Sequence, residues 1–473
     1  MINLAAVITA LTNQKISPLD VNLSGAVIDS RQVKQNNMFV ALPGEHVDGH
    51  DFVGDAFKRG AAIALIDRSL QEPFDTVDLQ HGMFKPENLS ISPPLCLKVP
   101  NTLEALQKIA AYWRKQHPLR VIGITGSVGK TSTKELTAAI LSRKYSVMKN
   151  PGNYNNEIGL PLSLLELQPD HDIAVLEMGF YVPGEIKTLC DIAQPQVGVL
   201  TNIGTVHAER AGSQDNIARG KAELVQSLPP EPDGIAILNM DDPWVRWMTD
   251  QTQAQVFSYG IKEKADLKAT DIQSHGFEGV SCQLNHQGKR WHVQSPLLGE
   301  FSVYTILRAA ASAFVEGLTW QEIQAGLNTS KVEIRMRHYT LPDSLSVLDD
   351  TYNASPASTL AALRVLEEAE GRRIAVLGDM LELGIYEQEG HQAVGKYAAH
   401  AADVLILVGE RSKLIAKTAI ENEFPEEQLH WYPNSKQAAK AINQFLHEGD
   451  TILVKGSNSM HMDRILSVLE VLT

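Results

Sequence analysis

The sequence predicts an α/β protein of three domains: a small mixed α/β domain over residues 1–99, a central parallel sheet over 100–331, and a doubly wound third domain over 332–473. Three observations carry this. A chain of 473 residues is longer than one hydrophobic core usually supports. Two series of short apolar runs alternate with helix-length segments, the pattern of parallel strands covered on both faces. The first hundred residues instead mix short strand-like runs with one helical stretch.

In the first domain the strand-like runs are Ala26 to Asp29, Met38 to Ala41 and Ala62 to Ile66, with a helix near Phe52 to Arg59. The loop-rich segment Phe84 to Pro94, with prolines at 86, 93 and 94, marks its end. The central strands are Val121 to Thr125, Ile173 to Glu177, Val197 to Thr201 and Ile235 to Asn239, each closing on a polar residue. Ligands of open α/β sheets bind outside the carboxyl ends of the strands, so Thr125, Glu177, Thr201, Asn202 and Asn239 are expected to converge. Between Ala265 and Leu298 the pattern changes to alternation, and Asn285-His286-Gln287-Gly288 reads as a turn, which predicts a small β insertion. The runs Ser346 to Asp349, Ile374 to Gly378, Val404 to Val408, His430 to Tyr432 and Thr451 to Val454 give the third, Rossmann-like domain.

Composition narrows the class. Hydrophobic residues at 44% with 21% charged residues are those of an ordinary globular protein, not a disordered one. A net charge of -14 argues against nucleic acid as the main partner, because phosphate backbones are held by surplus Lys and Arg. Three scattered cysteines, Cys96, Cys190 and Cys282, form neither a disulfide framework nor a zinc site and suit a reducing cytoplasm as small buried residues. The apolar start, Met1 to Leu11, lacks a basic leader, and no run approaches the roughly 20 apolar residues of a membrane span. A cytoplasmic protein without membrane insertion, whose main partner is not nucleic acid, is therefore expected.

The chemistry starts at Thr125-Gly126-Ser127-Val128-Gly129-Lys130-Thr131. A Gly-rich turn between a strand and a helix start presents backbone N–H groups to phosphate oxygens, with a lysine as point charge and a Thr hydroxyl for Mg2+. This makes the central domain P-loop ATPase-like. The strict pattern has glycine where this chain has Ile124, and a lysine-capped Gly turn is the plain alternative. Glu177, at a strand end, stands where a metal-binding acid of a nucleotide site would stand, or is a solvated carboxylate. His207 and Lys221 are individually as compatible with structural roles. Asn153, Asn155 and Asn156 lie in a loop whose amides could hold a polar substrate or simply form Asx turns.

Together these residues resemble the Mur ligase family of bacterial cell-wall synthesis. The match covers nearly the whole chain: Asp29-Ser30-Arg31, Asp48-Gly49-His50, the Thr125 to Thr131 loop, Gly152 to Pro161, Glu177-Met178-Gly179, Asn202 to His207, Lys221, Arg335, Asp350 to Asn353, and Leu453 to Ser457. The runs Gly378 to Gly384 and Gly152 to Gly159 look like those of members that add D-alanyl-D-alanine to a UDP-N-acetylmuramoyl tripeptide, and the Asn-Pro-Arg motif of the diaminopimelate-adding members does not occur in the last domain. The resemblance implies ATP and two Mg2+ ions, with activation of a carboxylate as an acyl phosphate. It implies nucleotide contacts from Thr125, Gly126, Ser127, Gly129, Lys130, Thr131 and Ser132. Thr131 and Glu177 would hold one ion, His207 a second, and Lys221 would be carbamylated. Arg335 would reach the phosphates and Asp350 the ribose. Ser30, Arg31, Asp48, Gly49 and His50 would hold the UDP-sugar, and Asn153, Asn155, Asn156, Asp379 and Lys455 the remaining substrate. Gly299 to Thr305 departs from the family's Gly-x-His-Asn near the adenine, and Tyr352-Asn353-Ala354-Ser355-Pro356 carries Ser355 where the family has Asn.

Two other classes compete. Folylpolyglutamate synthase belongs to the same superfamily, and the asparagine loop and Asp379 to Gly384 argue against it. A guanine-reading switch needs Asn-Lys-x-Asp after a strand, where this chain has Asn239-Met240-Asp241-Asp242.

Overall fold

The computed structural model describes residues 2–16, 21–44, 47–71, 74–80, 92–328, 336–341 and 344–470. It divides into two compact units: one of Met1–Gly123, Tyr145–Gly179 and Glu185–Gln196, the other of Ile124–Lys144, Phe180–Gly184 and Val197–Thr473.

In the first unit, five strands lie in the order Gly25–Val27, Asn37–Val40, Ile63–Ile66, Leu95–Lys98, Thr76–Asp78. Every pairing is parallel. Phe39, Ala64, Ile66 and Cys96 pack on Val53 and Ala56 of the helix Val53–Lys58, which explains why the two central strands are buried at every position. The last two strands were not expected. Thr76–Asp78 exposes both its polar ends, and Leu95–Lys98 follows directly on Pro93-Pro94, so neither shows an apolar run of useful length. Residues 84–91 of the loop-rich segment lie outside the described residues. The same unit contains the parallel pair Val147–Lys149 and Ile173–Glu177, the latter buried throughout. Its helix Thr102–Lys115 is capped by the Asn101 side chain and buries Arg114, whose guanidinium donates to the carbonyls of Ala193, His117 and Leu119.

In the second unit, Val197–Leu200, Ile235–Asn239, Gln255–Gly260 and Leu267–Ser274 run parallel, and Val280–His286 and Lys289–Ser295 continue antiparallel. The expected β insertion is present, but it extends the parallel strands instead of standing apart. Gln287 and Gly288, with φ of 47° and 75°, make its tight turn, as a two-residue hairpin loop requires. The last sheet has the order Arg337–Thr340, Ser346–Asp350, Thr451–Lys455, Arg373–Gly378, Val404–Val408, Leu429–Tyr432. All its pairs are parallel except the first. Two buried clusters cover its faces, one around Leu363, Leu377 and Leu405 and one around Val376, Ile406 and Ile452.

Cys96, Cys190 and Cys282 are buried free thiols, and burial pushes those of Cys96 and Cys282 up to about 11. Among the described residues no helix is long and apolar enough to cross a membrane.

Candidate active site

The strand Arg120–Thr125 feeds a four-residue loop and then the helix Lys130–Leu141. Ile124 is fully buried within that strand, so the glycine of the strict pattern has no turn to make there. The turning is done by Gly126 and Gly129, with φ of 144° and 84°. Asn202 fixes the loop from the next strand end: its carbonyl accepts from Ser127 N–H at 2.8 Å and its Oδ1 from Val128 N–H at 2.9 Å. Ser127 Oγ in turn accepts from Gly204 N–H at 2.8 Å. Three hydrogen bonds thus tie the loop to the neighbouring strand end.

Two lysines meet at its first carbonyl. Lys130 Nζ donates to Gly126 O at 2.9 Å and Lys221 Nζ donates to the same oxygen at 3.1 Å. Lys221 is buried on the helix Gln214–Gln226 and also stands 4.6 Å from the centre of the Phe180 ring, a cation–π contact. Gly220 is required there, because a Cβ on it would fall 2.1 Å from the same ring. Of the strand ends expected to converge, Thr125, Thr201, Asn202 and Asn239 lie together in the second unit, where Thr201 N–H bonds to Thr125 O at 3.0 Å and Asn239 Nδ2 to Thr201 O at 3.2 Å, while Glu177 belongs to the first unit.

His207 caps the short helix Ala208–Ala211 with a left-handed φ of 68°. Its Nδ1 lies 2.5 Å from Glu382 Oε2, and its ring meets the edge of Tyr181 at 4.7 Å between centroids. Burial pushes the imidazole's pKa down, outweighing the upward pull of Glu382, while the hydrogen bond from His207 holds the Glu382 carboxyl below its usual range. A carboxylate at that distance accepts from Nδ1–H, which in the neutral ring leaves the Nε2 lone pair to face away from it.

A cavity of about 600 Å³ opens from the loop, lined by Gly129, Ser132, Asn202, Asn239 and, from the third domain, Asp350 and Lys455. Its apolar side includes Trp244, Phe301 and Tyr304, so the segment Gly299 to Thr305 faces this space although its sequence departs from the family pattern. Tyr304 donates to Asp241 Oδ2 at 2.9 Å. Burial raises the Asp241 pKa, but the N–H groups of Glu263, Ile261 and Lys262 together with Tyr304 outweigh it and keep the carboxyl ionised. Arg308, on the helix Val303–Val315, donates to Thr133 Oγ1 at 2.8 Å and stands close enough to Gly129 to meet a Cβ there at 2.9 Å. Sequence reading missed it, although a lone arginine inside Ile306-Leu307-Arg308-Ala309-Ala310 is a usable signal.

In the first unit, Glu177 accepts from Asn155 Nδ2 at 2.8 Å, and its backbone is held on both sides by the buried Asn150 side chain. Asn156 Oδ1 accepts from Gly159 N–H at 2.8 Å, so of the three loop asparagines one holds Glu177, one bonds the first N–H of the helix Gly159–Leu164, and Asn153 is exposed. Asn150 was missed; its only signal is its place before Pro151-Gly152. His50 sits between Asp48 at 2.7 Å and Asp67 at 3.0 Å, and Asp48 also pairs with Arg68. Gly49 belongs to the same turn, its N–H bonded to Leu42 O. Ser30 is buried, while Arg31 is 82% exposed and paired with Asp29.

Asp350 and Lys455 end neighbouring parallel strands and form a buried ion pair. Asp379 is buried, which raises its pKa, and accepts from Ser412 N–H at 2.7 Å, so its carboxylate braces a turn. Arg335 lies outside the described residues. Among the described residues no group of three or more His, Cys, Asp or Glu side chains gathers as a metal cage.

Comparison with known proteins gives three adjoining family matches: the Mur ligase family catalytic domain over residues 22–114, the Mur ligase middle domain over 124–313, and the Mur ligase glutamate ligase domain over 334–458. A UDP-N-acetylmuramoyl-tripeptide–D-alanyl-D-alanine ligase from Synechocystis is 38% identical over 454 residues, 95% of this chain and 92% of that protein. Among solved structures, a MurF from Acinetobacter baumannii superposes with a TM-score of 0.84 at 29% identity, covering 99% of this chain and 98% of that one. A MurF ligase from Thermotoga maritima in complex with ADP gives 0.78 at 27% identity, over 96% and 99%. With three family matches in succession along its length and a relative 38% identical over 95% of it, the chain belongs to the Mur ligase family.

Proposed function

We propose that this protein is an ATP-dependent ligase that joins D-alanyl-D-alanine to a UDP-N-acetylmuramoyl-tripeptide, giving the pentapeptide precursor of peptidoglycan, ADP and phosphate. The observation that carries the reading is the hydrogen-bonded Thr125–Thr131 loop opening onto a cavity of about 600 Å³ with an apolar wall, a place for triphosphate and base together.

A carboxylate does not acylate an amine in neutral water, so it must first acquire a leaving group. The tripeptide carboxylate oxygen attacks the γ-phosphorus, the bond to ADP breaks, and an acyl phosphate forms. The dipeptide amine then attacks the carbonyl carbon, gives up a proton, and phosphate departs with the carboxylate oxygen. Negative charge grows in both steps. Lys130 and the N–H groups at the start of the helix Lys130–Leu141 are placed to meet it. Thr125, Gly126, Ser127, Gly129 and Ser132 shape the cradle, Phe301 and Tyr304 wall the base, and Asp350 serves the ribose, held by Lys455. Ser30, Arg31 and the Asp48–His50 turn hold the UDP-sugar; Asn153, Asn155 and Asn156 face the peptide; Asp379 acts by bracing its turn.

Mg2+ takes few protein ligands beside phosphate oxygens and water, and the Thr131 hydroxyl, the Glu177 carboxylate and His207 Nε2 are each of a donor type that would serve it. Bound Mg2+ supplies charge neutralisation and polarises the γ-phosphoryl group. Carbamylation of Lys221 would keep one N–H for Gly126 O and add an anion beyond it. The protein works as a monomer.

The test is ADP release, coupled to a reporter enzyme, with the UDP-tripeptide and three amines in turn. D-alanyl-D-alanine is expected to support turnover, and glutamate and diaminopimelate are not. Turnover with either of those instead, or ADP release without any amine, overturns the assignment.

A further inference from the structure

We infer that Glu382 is a positioning residue: a carboxylate of the third domain that fixes the tautomer and aim of the central domain's His207. The inference rests on the reading of His207 as a metal ligand. Glu382 lies 175 positions along the chain from His207, yet its Oε2 stands 2.5 Å from Nδ1. Its backbone is unusual, with a left-handed φ of 62°, a conformation uncommon for non-glycine residues and kept where surroundings enforce it.

Two backbone contacts enforce it. Glu209 N–H, two residues beyond His207, donates to Glu382 O at 3.3 Å. Gly384, with φ of 53°, lets the turn approach so closely that a Cβ on it would fall 2.8 Å from Glu209 Cα and 2.9 Å from Glu209 N. The turn is therefore pressed onto the His207 segment, with the carboxylate delivered to one ring nitrogen. Tyr181 walls the ring on another side, and Arg210 lies over Tyr181 at 4.7 Å.

An imidazole whose Nδ1–H is held by a carboxylate presents Nε2 as its only donor to a cation, in a fixed direction. Such outer partners are worth about 10- to 100-fold in metal affinity. Here the partner comes from a different domain, so the histidine is oriented only while the third domain rests on the central one. The backbone contacts survive truncation of the side chain, which separates its role from the packing of the turn.

Two measurements on the full chain test this. In metal-free protein labelled with 15N-histidine, His207 signals, assigned by their loss in His207→Gln, are expected to report Nδ1–H in the native chain and a rise of the Nε2–H form in Glu382→Ala. Mn2+ binding in the presence of ADP, followed by electron paramagnetic resonance, is expected to weaken about 10- to 100-fold in the same variant, with an unchanged unfolding midpoint. Glu382→Gln fills the same space and covers the case in which the alanine variant does not fold, with weakening in the same direction expected. Native spectra and native Mn2+ affinity in the variants overturn the inference. Failure of the native chain to bind Mn2+ with ADP would instead count against the metal reading of His207.

Discussion

Replacing Lys130 by alanine is expected to lower the ADP release that depends on both tripeptide and dipeptide by roughly 10²- to 10³-fold, since preorganised groups of this kind are worth about 3 to 4 kcal/mol when removed. The loss should fall on turnover more than on folding. Lys130 is a nearly buried ammonium that donates to Gly126 O, and burying a charge costs free energy that its removal recovers. Nucleotide-free unfolding should stay near the native midpoint while the coupled assay goes silent. Full turnover in Lys130→Ala would sink the loop assignment, whatever else is true of the chain.

Gly126→Ala should be strongly damaging to both stability and turnover. Its φ of 144° is a conformation that side chains rarely adopt, and the new Cβ would fall 1.8 Å from Thr201 Oγ1 and 2.9 Å from Thr201 Cβ. Thr201 cannot swing away easily, being fully buried at a strand end. Backbone strain of about 1 to 3 kcal/mol and overpacking of about 1 to 3 kcal/mol act together. We expect a destabilisation of about 2 to 5 kcal/mol by denaturant unfolding, with ADP release lost in parallel, because Gly126 O anchors both Lys130 and Lys221. A variant with native stability and native turnover would mean that the loop does not need this close approach.

Most of what positions the site could be read from the sequence, for physical reasons. Strands buried on both faces appear as unbroken apolar runs, so Ile173–Glu177, Val197–Leu200 and Ile235–Asn239 were visible, and their polar carboxyl ends marked the crevice. Edge and half-exposed strands such as Thr76–Asp78, Gln255–Gly260 and Arg337–Thr340 carry no such run, because one side faces water. Ile124 looked like a fault in the loop pattern and is a strand residue. The residues that hold others in place were the hardest to see. Asn150 serves Glu177 through backbone bonds, Arg308 braces Thr133 beside the loop, and Glu382 reaches His207 only after two domains have packed. Each depends on distant parts of the chain meeting, which no local pattern encodes.

The central claim is that the carboxylate is activated by taking the γ-phosphoryl group, and the fate of one oxygen decides it. With tripeptide labelled by 18O in its reacting carboxylate, turnover with D-alanyl-D-alanine should release inorganic phosphate carrying a single 18O from that carboxylate. Phosphate that draws its fourth oxygen from solvent water, with none from the tripeptide, would contradict the acyl phosphate and leave a nucleotide hydrolase in its place.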